Sequence, residues 1–152
     1  MIRFALPLIL LAGTASAQQM PGAHFLENWD LNEDGQVTTS EAAERRGDVF
    51  VTFDSNDDGF LDAEEYIAFD EARENDIREH AQPGKGLGRR AADDLALGPN
   101  DLNKDGKVSR EEFVSRAETW IGMMDKNGDG VITIADFGRG KGTGGGQGRG
   151  KG

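Results

Sequence analysis

Three oxygen-bearing side chains at alternate positions, followed at once by a glycine, recur four times in this chain of 152 residues. The sets are Asp30, Asn32, Asp34 with Gly35; Asp54, Asn56, Asp58 with Gly59; Asp101, Asn103, Asp105 with Gly106; and Asp125, Asn127, Asp129 with Gly130. Laid out as a strand, each set would put its carboxylates on one face, where like charges repel. Wrapped around a cation, the same oxygens would be held together. The chemistry this spacing suits is ligation of a hard divalent ion by oxygen. Seven places after the fifth position an acid follows in each case: Glu41, Glu65, Glu112 and Asp136. The eighth position is aliphatic in all four: Val37, Leu61, Val108 and Ile132.

The twelve-residue stretches read "DLNEDGQVTTSE", "DSNDDGFLDAEE", "DLNKDGKVSREE" and "DKNGDGVITIAD". Each resembles the EF-hand loop, three of them at all twelve positions. The resemblance implies Ca²⁺ ligation by side chains at positions 1, 3 and 5 and by the carbonyl of position 7. Those carbonyls belong to Gln36, Phe60, Lys107 and Val131. Position 9, which often acts through water, is Thr38, Asp62, Ser109 and Thr133. The acid at position 12 is expected to close the shell with two oxygens. Asp136, one methylene shorter than Glu, predicts a weaker fourth site or one more tolerant of Mg²⁺. Three to four ions are therefore expected. The alternative for each loop is an acidic Asx turn without metal.

Helices must carry these loops. Loops start at 30 and 54, then at 101 and 125, so the spacing within each pair is 24 residues. Only twelve residues lie between the loops of a pair, too few for two helices and a turn. One shared helix is expected, and Phe113, Ala117, Trp120, Ile121 and Met124 share a stripe that predicts it from Arg110 to Met124. Such a helix is about 22 Å long. Loops at its two ends cannot pair with each other, which leaves pairing across the halves: second with third, first with fourth. Apolar residues one and four places before three loops (Trp29 and Leu26, Phe53 and Phe50, Met124 and Ile121) are expected to be core. Gly98-Pro99-Asn100 is expected to interrupt any helix entering the third loop, and the helix leaving the fourth is nearly absent. The close 24-residue spacing resembles secreted bacterial EF-hand proteins more than calmodulin. The fold class is all-α, with short β-type pairing of loops.

Along the chain the expected order is a signal peptide at 1–17, a first loop pair at 18–80, a linker at 81–90, a second pair at 91–137 and a Gly-rich basic tail at 138–152. The signal rests on Arg3, an apolar run from Phe4 to Ala12 and an A-x-A arrangement at Ala15 and Ala17. It implies export, periplasmic or secreted, with no membrane span after cleavage. The linker carries Pro83, Gly84, Gly86 and Gly88. Before it, residues 64–80 read as a polar helix; after it, 89–97 as a short one.

Residues 18–137 carry 28 acidic and 12 basic groups, a net of −16. Leu, Ile, Val and Phe together make up under a fifth of the chain after residue 17. That is the composition of a disordered chain unless something neutralises the charge. It also argues against specific nucleic-acid binding. No Cys is present, so disulfides and a thiol nucleophile are excluded. His24 and His80 read as isolated and solvent-exposed, and no Ser-His-Asp set or phosphate-cradling loop is present. No enzymatic site is expected. Three roles remain: a Ca²⁺ buffer or metal-stabilised binding module, a sensor with a protein target, or a Ca²⁺-dependent envelope or adhesion protein using the tail. Sensors tend to line a groove with Met, and only Met20, Met123 and Met124 follow the signal, which favours the first.

Overall fold

The computed structural model describes residues 20–80 and 86–138. The expected signal peptide and nearly all of the Gly-rich tail lie outside the described residues. Helix α1 (Ala23–Trp29) leads into the first loop, and α2 (Thr39–Phe53) runs unbroken from the first loop to the second. Strand β1 (Phe60–Leu61) closes the second loop and α3 (Ala63–His80) leaves it. Helices α4 (Leu87–Asp93) and α5 (Leu97–Asn100) precede the third loop. Strand β2 (Val108–Ser109) follows, then α6 (Arg110–Ser115), α7 (Ala117–Met124) and, after the fourth loop, α8 (Ile134–Phe137). The all-α expectation holds, with a two-stranded antiparallel sheet as its β component.

Three of the helices that leave loops start for a local reason. Thr38 and Glu41 form a capping box at α2, Ser109 and Glu112 at α6, and Thr133 and Asp136 at α8. The hydroxyl at position 9 accepts a backbone N–H in the first turn while the acid at position 12 accepts the N–H of position 9. In the second loop Asp62 takes the hydroxyl's place, accepting from Glu64 N at 2.9 Å and Glu65 N at 3.0 Å. Loop closure and helix initiation thus use the same side chains.

Loops pair across the halves. Phe60 faces Ser109 and Leu61 faces Val108 in the β1–β2 ladder, joining the second loop to the third. Val37 and Ile132 exchange backbone bonds of 2.8 and 3.0 Å, joining the first to the fourth. All four aliphatic residues at position 8 are fully buried. One apolar cluster includes Phe50, Leu61, Phe69, Phe113, Trp120 and Met124, so both halves share a single core. Helix α2 lies at its centre, packed on α6, α7 and α3.

Several local expectations need correction. The shared helix from Arg110 to Met124 is split at Arg116 into α6 and α7, though Trp120 N still bonds Arg116 O at 2.9 Å. Gly98-Pro99-Asn100 does not abolish the entering helix. It forms the single turn α5, where Pro99 sits near the start and needs no N–H donor. The linker expected at 81–90 is helical from Leu87, because Leu87 and Ala91 bury their side chains in the core.

Candidate metal centre

The four loops share one hydrogen-bond pattern. In the first, Asp30 Oδ1 accepts from Asp34 N at 3.2 Å and Oδ2 from Gly35 N at 2.7 Å. Asn32 Oδ1 accepts from Asp34 N and Asp34 Oδ1 from Gln36 N, both at 2.9 Å. Glu41 closes the ring, accepting from Asn32 N at 3.3 Å and Thr38 N at 2.9 Å. The same bonds recur around Asp54, Asn56 and Asp58, around Asp101, Asn103 and Asp105, and around Asp125, Asn127 and Asp129. Each loop therefore wraps its own carboxylates with backbone donors and turns the oxygens toward its interior.

Backbone shape explains the glycines. The sixth residues, Gly35, Gly59, Gly106 and Gly130, have φ between 82° and 86°, left-handed values that a Cβ disfavours. The fourth residue is left-handed as well: Glu33, Asp57 and Lys104 adopt φ of 61°, 56° and 62°, and the fourth loop uses Gly128 there at 77°. Substituting Gly at that position relieves strain in the loop whose closing acid is shortest.

The second loop is the tightest cluster of carboxylates, with oxygens of Asp54, Asp58 and Glu65 all within 4.8 Å of one another. Glu65 is buried and accepts from Ser55 N at 2.8 Å and Asp62 N at 3.2 Å. Glu112 accepts from Leu102 N and Asn103 N at 3.1 Å and from Ser109 N at 2.8 Å. Asp136, although shorter, makes the same closure. It accepts from Lys126 N at 3.0 Å through one oxygen and from Thr133 N at 2.9 Å through the other.

These bonds set the electrostatics. The Ser109 N–H, aided by Asn103 and Leu102, holds Glu112 below the usual carboxylate range against the opposing effect of burial. Burial pushes Glu41 up, but bonds from Thr38, Asn32 and Leu31 outweigh it and leave the group lowered. The Gly130 N–H, then those of Gly128 and Asp129, lower Asp125. Carboxylates kept ionised and converging on loop interiors are a donor set for a hard divalent cation.

The side chains expected at positions 1, 3, 5 and 12 accept backbone hydrogen bonds within their own loop in all four cases, and in the second loop the oxygens of Asp54, Asp58 and Glu65 come together. The backbone N–H of each position-7 residue, Gln36, Phe60, Lys107 and Val131, donates to the Asp at position 5 of its loop. Sequence reasoning missed the capping role of positions 9 and 12, though the S/T-x-x-E spacing signals it. It also misjudged the histidines. His24 and His80 are half-buried and stacked on one another beside Asp76, with ring centroids 3.7 Å apart. Their sequence separation hid this.

Paired helix–loop–helix units with oxygen-lined loops joined by short β bridges define a class of cation-binding protein. Residues 47–70, 101–115 and 117–141 each match the family model described as EF hand. The chain is an EF-hand calcium-binding protein. Those stretches carry the second, third and fourth loops; the first lies outside them and has the same internal geometry. None of the curated proteins compared with the chain matches it.

Proposed function

We propose that this chain binds Ca²⁺ through all four loops and acts outside the cytoplasm as a buffer or metal-stabilised binding module. The observation that carries this reading is the common hydrogen-bond pattern, which orients the oxygens of positions 1, 3, 5 and 12 alike in every loop, including the first. The ligands are Asp30, Asn32, Asp34, Gln36 and Glu41; Asp54, Asn56, Asp58, Phe60 and Glu65; Asp101, Asn103, Asp105, Lys107 and Glu112; and Asp125, Asn127, Asp129, Val131 and Asp136, with Gln36, Phe60, Lys107 and Val131 contributing backbone carbonyls. Export rests on the N-terminal sequence alone. The role is binding rather than catalysis on this reading, since metal ligation accounts for the clustered carboxylates of the loops. Among the described residues, no helix is long and apolar enough to cross a membrane.

Methionine placement supports a buffer over a sensor: Met124 is fully buried in the core, and among the described residues only Met20 and Met123 are exposed methionines. One feature favours the sensor reading. A cavity of about 350 Å³ lies among α1, α3 and α4, with Phe25, Trp29, Phe53, Phe69 and Trp120 in its lining. An apolar side chain of a target would fit there. Calorimetric titration of the exported chain with Ca²⁺ tests the first reading; two ions or fewer at millimolar Ca²⁺ would refute the four-loop assignment. A dye that reports apolar surface, added with and without Ca²⁺, separates buffer from sensor. The adhesion reading, through the basic tail, is tested by binding to an anionic polymer with and without residues 138–152.

A further inference from the structure

The loops use oxygen throughout, yet the described residues contain one cluster of a different chemistry. His24 on α1 and His80 at the end of α3 stack with rings 7° from parallel. Asp76 stands between them: its Oδ1 is 2.7 Å from His24 Nε2 and 3.3 Å from His80 Nδ1. One ligand atom from each of the three residues lies within 4.8 Å of the other two. Asp76 and His80 are four apart on one helix, hence on one face. His24 arrives from an element 52 residues earlier.

We propose that His24, Asp76 and His80 form a second metal site, specific for a first-row divalent transition ion such as Zn²⁺. Two imidazoles and one carboxylate leave a fourth tetrahedral position open to water, and the half-exposed Asp76 faces solvent there. Zinc–nitrogen bonds of about 2.0–2.1 Å place two ligand nitrogens roughly 3.3 Å apart in a tetrahedral site. A metal ion binds in the plane of an imidazole ring, so the two rings, 7° from parallel with centroids 3.7 Å apart, must turn out of the stack about their side-chain torsions to share one. A candidate supporting partner lies nearby. Glu27 Oε2 lies 4.0 Å from His24 Nδ1, the nitrogen left free when Nε2 takes the metal; that is beyond hydrogen-bond distance, and the exposed Glu27 side chain would have to swing in to accept its proton. Asn28 donates to the His24 carbonyl at 2.8 Å and fixes that turn of α1.

The two kinds of site do not compete. Ca²⁺ wants six to eight oxygens, which this cluster lacks, whereas imidazole nitrogen suits Zn²⁺. Occupancy would fasten the seven-residue α1 to the C-terminal end of α3. Those elements flank the apolar cavity, so the second ion would fix the wall of that cavity independently of the loops.

The test is calorimetric titration of Zn²⁺ into the exported full chain at about pH 7.5, where imidazole is largely neutral, with millimolar Ca²⁺ present throughout to keep the loops filled. One Zn²⁺ per chain is expected. His24→Gln and His80→Gln should each weaken it by at least about tenfold, since losing a ligand should cost no less than losing a supporting partner. Both variants should keep their Ca²⁺ stoichiometry. Ring ¹⁵N shifts of the unaltered chain provide a check independent of variant folding. Zn²⁺ should move His24 Nε2 and His80 Nδ1 together, in a single saturable step. No Zn²⁺ uptake above the Ca²⁺ background, uptake unaffected by either substitution, or ring shifts at only one histidine would each overturn the proposal.

Discussion

Arg46 is fully buried, and its Nε donates to the Phe113 carbonyl at 2.6 Å while its guanidinium carbon lies 4.4 Å from the centre of the Phe113 ring. A second arm donates to Asn100 Oδ1, and the Asn100 amide donates in turn to the carbonyls of Asp94 at 2.8 Å and Ala96 at 2.7 Å. One cation thus ties α2 of the first loop pair to α5 and α6 of the second. Burial pulls its pKa down to about 10, which still leaves it charged at neutral pH, with Asp94 supporting the charge.

Removing that tie should loosen the joint between the halves. Arg46→Met keeps much of the stem volume but leaves Asn100 Oδ1 and the Phe113 carbonyl without a buried donor. The expected loss is about 2–4 kcal/mol, from stranded polar groups plus imperfect packing. Urea unfolding in saturating Ca²⁺ reads it as a lower midpoint at constant slope. A loss below about 0.5 kcal/mol, the range of ordinary surface substitutions, would mean the network adds nothing net.

Coupling between loops should follow the β bridges rather than the sequence. Glu65→Gln weakens the second loop by removing a charge and a good oxygen. Its partner through Leu61 and Val108 is the third loop, although the first is nearer in sequence. Calorimetry should therefore find the third site weakened more than the first. Equal weakening of both, or none at the third, would contradict transmission through the ladder.

The fourth loop tests how far a methylene matters. Asp136 already closes its loop from a fully buried position, so it is pre-positioned despite its length. Its shorter reach still favours one-oxygen ligation, and the fourth site should be the weakest. Asp136→Glu should tighten it several-fold and reduce its tolerance of Mg²⁺, which accepts fewer protein oxygens. Unchanged affinity would assign any weakness to another part of that loop, such as Gly128.

Acid should weaken the calcium-loaded chain in a defined direction. Glu112, Glu41 and Asp125 are lowered in the folded state. A lowered carboxylate stabilises the fold above its unfolded value, about 3.9 for Asp and 4.3 for Glu. That contribution is lost as pH falls through the folded value. A bound cation lowers these groups further and so acts with the same sign. Melting temperature and Ca²⁺ affinity should both fall between about pH 6 and pH 3, and melts across that range decide it. A transition that does not move would show that these carboxylates do not support the fold.

What could be read in the sequence was whatever repeats locally. The twelve-residue spacing marks the ligands, and the position-8 aliphatics Val37, Leu61, Val108 and Ile132 are buried as their pattern implies. The helix shared within the first pair was legible because twelve residues leave little other choice, whereas the break at Arg116 in the second pair was not. Arg46 was partly legible, since it falls four residues after Ala42 and four before Phe50, both buried. A charge on an apolar stripe signals a buried partner that sequence cannot name. His24 and His80 were not legible as a pair: only the docking of α1 on α3 brings them together. Turn α5 was misread because Gly and Pro disfavour helix interiors, whereas a single turn has no interior.

The largest expected effect is that the metal holds the fold together. Residues 18–137 carry a net charge of −16, and each loop gathers three carboxylates, with Asp57, Asp62, Glu64 and Glu111 adding to the field. In the structure the loop oxygens are satisfied by backbone N–H groups, which orients them but neutralises nothing. Repulsion among them opposes the compact state. The shared core offsets only part of the chain entropy in a domain this small. A ligand that binds only the folded form adds about 2.7 kcal/mol per site at a hundredfold excess over Kd. Three independent sites would then add roughly 8 kcal/mol, comparable to the whole stability of a typical domain. Chelation should give low helix content or a loose globule, with cooperative recovery when Ca²⁺ returns. Salt at about 0.5 M should restore part of the order by screening exposed carboxylates. Circular dichroism and thermal melts with and without chelator measure this. A sharp calcium-free transition within a few degrees of the loaded one would show instead that the Phe50–Phe113–Trp120 core suffices without metal.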